Sequence, residues 1–265
     1  MSTTHQAGPL LREWRRRRNV SQLELAHGAG VSARHVSFIE TGRAHPTSTM
    51  LIRLGERLDL PLREQNRLLL AGGFAPTHPE HALDSPPMAA VHRAIDAILT
   101  GHLPFPALVI DRGWDLVAAN DALYAAIGPV PDRLLEPPVN VIRLTLDPEG
   151  LAPRIVNLAE WREHLRVRLE RDYAASGDDR LRELVELASD GPAPAVSDAG
   201  GLVVPLRLRA GDGSELSLIS TTTVFGTPRE VTLSELAIEA FYPADDATRA
   251  ALTDPGPIGL DADGP

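Results

Sequence analysis

No cysteine occurs in the 265 residues, which excludes disulfides, thiolate zinc sites and thiol nucleophiles together. Lysine is missing too, so all 26 basic side chains are arginine. Long apolar runs are also lacking, and no stretch approaches the roughly 20 apolar residues that a membrane-spanning helix needs. The opening residues Met1 to Gln6 show no charged segment followed by an apolar one, so no export is expected and the chain reads as cytoplasmic. No nucleophile elbow, HExxH, phosphate loop or dinucleotide fingerprint is present. The carboxylates of the second half, such as Glu163, Glu170, Glu183 and Glu186, fall on helix surfaces. No catalytic residue, metal ligand or cofactor is expected, and the chain reads as a binding protein and not an enzyme.

What is present is an uneven charge. The formal net charge is −10, yet residues 1–75 carry 11 Arg against 6 Asp and Glu, and the rest carries 15 Arg against 30. A basic module of this size attracts a polyanion, and the acidic remainder would be repelled by one. Length and an apolar content of 43% suit two domains with cores of their own.

In the basic part, Leu10, Leu11 and Trp14 recur at helical spacing, which predicts a helix over 9–18 with Pro9 near its start. Ser21-Gln22-Leu23-Glu24 has the form of a capping box and starts a second helix. Gly28-Ala29-Gly30 supplies the turn. Ser32 then caps a third helix over 33–41, with Val36 and Ile39 facing inward and Gly42 ending it. Two more amphipathic helices are predicted over 48–58 and 62–71. Arg15 to Arg18 resemble a nucleic-acid patch, but at about 100° per residue four consecutive side chains point almost all round a helix.

Through Ser21-Gln22-Leu23-Glu24-Leu25-Ala26, Gly30-Val31-Ser32, Val36 and the run Ile39 to Pro46, the chain resembles the Xre family of lambda-repressor-like regulators over residues 10–73. The resemblance implies that helix 33–41 enters the major groove of a double-stranded DNA operator. Ser32, Ala33, Arg34, Ser37 and Phe38 would then reach base edges, while Gln22 and Arg43 would hold phosphate. It also implies an ion pair between Arg15 and Glu40. Ala33 offers only apolar contact, for example to a thymine methyl.

Residues 72–87 mix Gly, Pro and Asp without periodicity and read as a linker, followed by a helix over 87–100. "PALVIDRGWDLVAAN" predicts a hairpin around Asp111-Arg112-Gly113, before a helix over 121–127. Amphipathic helices follow over 157–175 and 179–188. Three last strands are expected in "LVVPLRLR", "ELSLISTTTVF" and "EVTLSELAIEAFY". The expected plan is α + α/β in class: a five-helix helix-turn-helix domain (1–73), a linker and connecting helix (74–103), an α+β domain with an antiparallel sheet and helices on one side (104–252), and a disordered tail (253–265).

Strand "ELSLISTTTVF" holds Leu216 and Leu218 on its inner face, then Ser220 and Thr222. A half-polar inner face suits a cavity with a few hydrogen-bonding groups among hydrocarbon walls; an edge strand of good β-formers would look the same. "ELSLISTTTVFGTPREVTLSELAIEAFYPAD", "NVIRLTLDP" and "ALVIDRGWDLVAAN" resemble the ligand-binding domain of MmyB-like transcription regulators over residues 104–250. That resemblance implies a PAS-like domain and a small apolar effector such as a fatty acid. Ile142, Leu165, Leu169, Leu206 and Leu218 are the expected walls, since each lies on the apolar side of its element. Ser220 and Thr222 would mark the polar end and Arg143 would meet a carboxylate head. The expected protein is a homodimeric regulator. A domain serving only for dimerisation or protein contact is the other reading.

Overall fold

The computed structural model describes residues 7–192, 203–211 and 213–253. The chain separates into two compact units, the first holding the residues up to Met88 together with Ala174–Gly177 and Gly226–Ser234. Five helices build it: α1 (Ala7–Arg17), α2 (Gln22–Ala29), α3 (Ala33–Glu40), α4 (Ser48–Arg57) and α5 (Leu62–Ala71). The capping box forms as the spacing predicts, with the Glu24 N–H donating to Ser21 Oγ at 3.1 Å and the Ser21 N–H to Glu24 Oε2 at 2.7 Å. Gly30 ends α2 at φ 68°, a left-handed conformation that glycine adopts without a Cβ penalty. Leu11, Trp14, Leu25, Val36, Ile39, Leu51, Leu54 and Leu68 form one core. Gly8 lets α1 approach α3, because a Cβ there would stand 2.3 Å from the Ile39 carbonyl oxygen.

The run Arg15 to Arg18 is mostly structural. Arg15 donates from Nε and Nη2 to the two oxygens of Glu40 at 2.6 and 3.0 Å, and from Nη1 to the Val20 carbonyl at 2.8 Å. Arg18 donates to the Leu58 and Asp59 carbonyls at 3.0 and 2.9 Å, satisfying acceptors left open past the end of α4. Arg16 alone of the four is exposed.

The second unit opens with α6 (Ala89–Gly101), then β1 (Ala107–Ile110), β2 (Leu116–Ala119), α7 (Asp121–Ile127), α8 (Val141–Leu146), α9 (Leu158–Ser176) and α10 (Asp179–Ser189). Then come β3 (Leu206–Arg209), β4 (Glu215–Val224), the short helix α11 (Val231–Ser234), β5 (Ala237–Pro243) and α12 (Asp246–Thr253). Two of these depart from that assignment: α11 and, at the end of α9, Ala174–Gly177 belong to the first unit. The strands form one antiparallel sheet in the order β2-β1-β5-β4-β3. Its inner face and helices α8 to α10 share a core that includes Leu108, Ile142, Leu169, Leu181 and Leu218.

Two expectations need correction, and a third lies outside the described residues. "EVTLSELAIEAFY" is not one strand, because Glu230 Oε2 accepts the Leu233 N–H at 2.6 Å and caps the turn of helix α11 before β5 begins. Helices do not lie on one side only: β1 is buried along its whole length, and α6 packs against it. The tail read as disordered falls outside the described residues, apart from Thr253 at the end of α12. Asn120 joins several elements at once. Its Oδ1 accepts from the Ala107 and Leu123 N–H groups, and its Nδ2 donates to the Leu99 and Phe105 carbonyls, at 2.8 to 3.2 Å.

The Arg15–Glu40 pair gives a test of the first unit, since its side chains are only 11% and 1% exposed. Burial pushes the Glu40 carboxyl up, but hydrogen bonds from Arg15 and Gln22, with the Arg15 and Arg12 charges, hold it below the usual carboxylate range. Breaking such a pair costs on the order of 3 to 5 kcal/mol because one buried charge loses its partner. A double-mutant cycle with Arg15→Ala and Glu40→Ala in denaturant unfolding of the full chain should show strong coupling; additive losses would refute the pair. The stability due to Glu40 should be complete above its unfolded pKa of about 4.3 and fall away as pH drops through the lower folded value.

Candidate functional site

Helix α3 owes its start to Ser32, whose hydroxyl accepts the His35 N–H at 3.2 Å. Val36, Ile39 and Glu40 are buried and set its inner face, which leaves Arg34, Ser37 and Phe38 on the outer one. Ser32 and Arg34 are exposed, and Ala33, Ser37 and Phe38 are half-buried. The Arg34 guanidinium lies 5.1 Å from the centre of the Phe38 ring, which holds the cation at the helix surface. Arg43 is exposed just past the helix, and its N–H donates to the Phe38 carbonyl at 2.8 Å. Gln22 differs from the other six. Its Nε2 donates to Glu40 Oε2 at 2.8 Å, so the amide is tied to the Arg15 pair.

The second unit encloses an apolar cavity of about 90 Å³ between the inner face of the sheet and helices α7 to α9. The sheet places its walls by alternation: Leu206 faces Leu218 across β3 and β4, Ser220 faces Phe241 and Thr222 faces Glu239 across β4 and β5. Ile142, Leu165, Leu206, Leu218 and Ser220 line the space. Leu169, fully buried, belongs to the packed core instead and is not among the lining residues. Thr222 lies outside the lining as well, with its hydroxyl donating to Glu239 Oε1 at 2.7 Å.

Arg143 does not reach the cavity. It follows Ile142 on α8 and turns outward, 54% exposed, to meet Glu183 at 3.2 Å. The cation on the wall is Arg168 of α9, which spacing alone did not single out. Arg168 donates to both oxygens of Glu239 at 3.1 and 2.6 Å and to the Thr222 hydroxyl at 3.0 Å. Its guanidinium also lies 4.7 Å from the centre of the Trp114 ring. The readable signal was Glu239: a carboxylate inside the apolar strand "AIEAFYP" needs a buried partner.

Trp114 is held in an uncommon conformation. Its φ of 64° is strained for a bulky residue, and the surroundings over-determine it. Asp111 Oδ1 accepts the Gly113 and Asp115 N–H groups at 2.7 and 2.9 Å, and the Trp114 indole N–H donates to Asp172 Oδ2 at 3.1 Å. Burial pushes the Asp172 carboxyl above its ordinary range, against the hydrogen bond from Trp114 and the charge of Arg168.

Among the described residues, no helix is long and apolar enough to cross a membrane. Comparison with curated proteins returns no match. A helix-turn-helix family model matches residues 11–65, which cover α2 and α3. The model of the MmyB-like transcription regulator ligand binding domain matches residues 91–254, more than half of the chain and all the elements around the cavity. The chain belongs to the family of MmyB-like transcription regulators, with a helix-turn-helix followed by a ligand-binding domain.

Proposed function

We propose that this regulator binds its operator as a homodimer in the cytoplasm and that its second unit is a PAS-like sensor of a small apolar molecule. The single observation that carries the sensing reading is the cavity: a hydrocarbon-walled space with one polar end, formed by Ser220, Arg168 and Glu239. The five-stranded antiparallel sheet in the order 2-1-5-4-3, with helices over its inner face, supports the same reading. A free space of about 90 Å³ is small against the roughly 300 to 1,000 Å³ of pockets for drug-sized ligands. It suits a compact occupant with a short fatty-acid-like hydrocarbon body, and a longer one only if the walls part.

DNA binding through α3 is supported by the charges left over in the first unit. Arg34 and Arg43 have no carboxylate partner among the described residues, whereas Arg15 and Arg67 are paired with Glu40 and Glu64. An unpaired guanidinium beside a helix in the major groove is free for base or phosphate.

Alanine variants should therefore fail in two different ways on an operator selected from random DNA. Arg43→Ala should weaken binding to every sequence and flatten the salt dependence by about one unit. Arg34→Ala should lose roughly 1 to 3 kcal/mol on the selected site and relax preference at one base pair. Equal losses on selected and random DNA for both variants would show that the roles are misassigned.

A ligand that binds only the folded state raises the melting temperature with concentration. Short-chain amphiphiles should do so here, and Leu218→Trp, which fills the cavity from β4, should abolish the rise in a chain that keeps its circular dichroism. A screen without any shift, together with a Leu218→Trp chain that unfolds as an overfilled core does, would favour a dimerisation or protein-contact module.

A further inference from the structure

Arg168 and Glu239 are the only charged side chains among the described residues that line the cavity. They neutralise each other through two hydrogen bonds, and their side chains are 19% and 5% exposed. The carboxylate is bonded further to the Thr222 hydroxyl, and a second carboxyl, Asp172, accepts the indole N–H of Trp114, the ring on which Arg168 rests. An incoming carboxylate thus finds no spare positive charge. To reach Arg168 it must displace Glu239, leaving a buried anion without its partner, or stand beside it as a like charge. The expected carboxylate partner, Arg143, lies outside.

One polar wall group is different. Ser220 lines the cavity beside this pair, two register positions from Glu239's partner Thr222 and so on the same face of β4. Its hydroxyl has no hydrogen-bond partner among the described residues, while the other wall hydroxyl, Thr145, donates to the Val141 carbonyl at 2.7 Å. A half-buried hydroxyl with both donor and acceptor capacity matches one alcohol or carbonyl group.

We propose that the cavity selects an electroneutral ligand: a small, mostly hydrocarbon molecule whose single hydroxyl or carbonyl group bonds to Ser220, in preference to a carboxylate of the same chain length. This rests on the sensor reading above and names the class of effector for that same site. The apolar walls supply affinity in proportion to the area they bury, and the closed Arg168–Glu239 pair supplies discrimination by refusing a second anion.

The test compares n-alkanols with n-alkanoates of equal length, from hexanol and hexanoate to decanol and decanoate, by calorimetric titration and thermal melting of the full chain. At about pH 8 the alkanoates are ionised, since carboxyl groups titrate near 4. Each alkanol should bind at least about tenfold tighter than its alkanoate, a difference of about 1.4 kcal/mol. Ser220→Ala should weaken the alkanol several-fold. Glu239→Gln should free Arg168 and reverse the preference, and if that variant does not fold, the pairs on the unaltered chain still decide. Alkanoates binding as tightly as alkanols or tighter would overturn electroneutral selection and leave the sensor reading in place. No binding by either member of any pair, with no change in melting, would overturn the sensor reading and the selection together.

Discussion

A carboxylate inside an apolar sheet has to be answered by a cation, and in the second unit this requirement sets the polar end of the cavity. Glu239 is buried on β5, in register with Thr222 on one side and Leu108 on the other. Arg168 answers it from α9, 71 residues away in the chain. The pair therefore fixes the azimuth of α9 over the sheet. Trp161 and Leu165, two turns and one turn earlier on α9, then point into the same space as Arg168. Removing either charge would leave the other exposed to a low-dielectric surrounding, so the arrangement is maintained by the cost of undoing it more than by the strength of the pair itself.

The first unit solves a similar problem around Glu40. Here the buried carboxylate collects Arg15 from α1 and Gln22 from α2 while sitting on α3 itself. Three helices are thereby locked by one side chain, and the outer face of α3 is aimed by what its inner face binds. The geometry that presents Arg34 to solvent is thus a consequence of Glu40 and Ile39 being buried. In the proposed mode of DNA binding, structure and function share a helix but use opposite sides of it.

The two buried pairs differ in their relation to a ligand. Glu40 is enclosed by protein groups, so its pair contributes to orientation alone. Glu239 borders a space that a small molecule can enter, so the same physics becomes a rule about which molecule is admitted. Trp114 connects the wall to this rule, since its ring carries Arg168 on one contact and its indole N–H holds Asp172. A strained tryptophan at φ 64° persists because several hydrogen bonds of the Asp111 turn agree on its position.

Local signals in the sequence determined most of the elements. Capping boxes, glycine turns and the 3.6-residue period act within a few residues, so α2, α3, α7 and α9 were legible, as were the inward positions Ile142, Leu165, Leu206, Leu218 and Ser220. Thr222 shares a face of β4 with Leu218 and Ser220 but is exposed, and its hydroxyl serves Glu239 and not the cavity. Tertiary structure alone decided which of two arginines on apolar-flanked helices meets the cavity. Arg143 and Arg168 each stand beside inward residues, and only the packing of α9 across β5 distinguishes them. It also decided that Leu169 fills core while Leu165 lines space, since both lie on one stripe and differ only in what stands opposite. The break of the last predicted strand into α11 and β5 has the same origin: its apolar residues fit either element, and the Glu230 cap settled the choice. Periodicity tells a residue which way to face, whereas only the folded chain supplies what it will face.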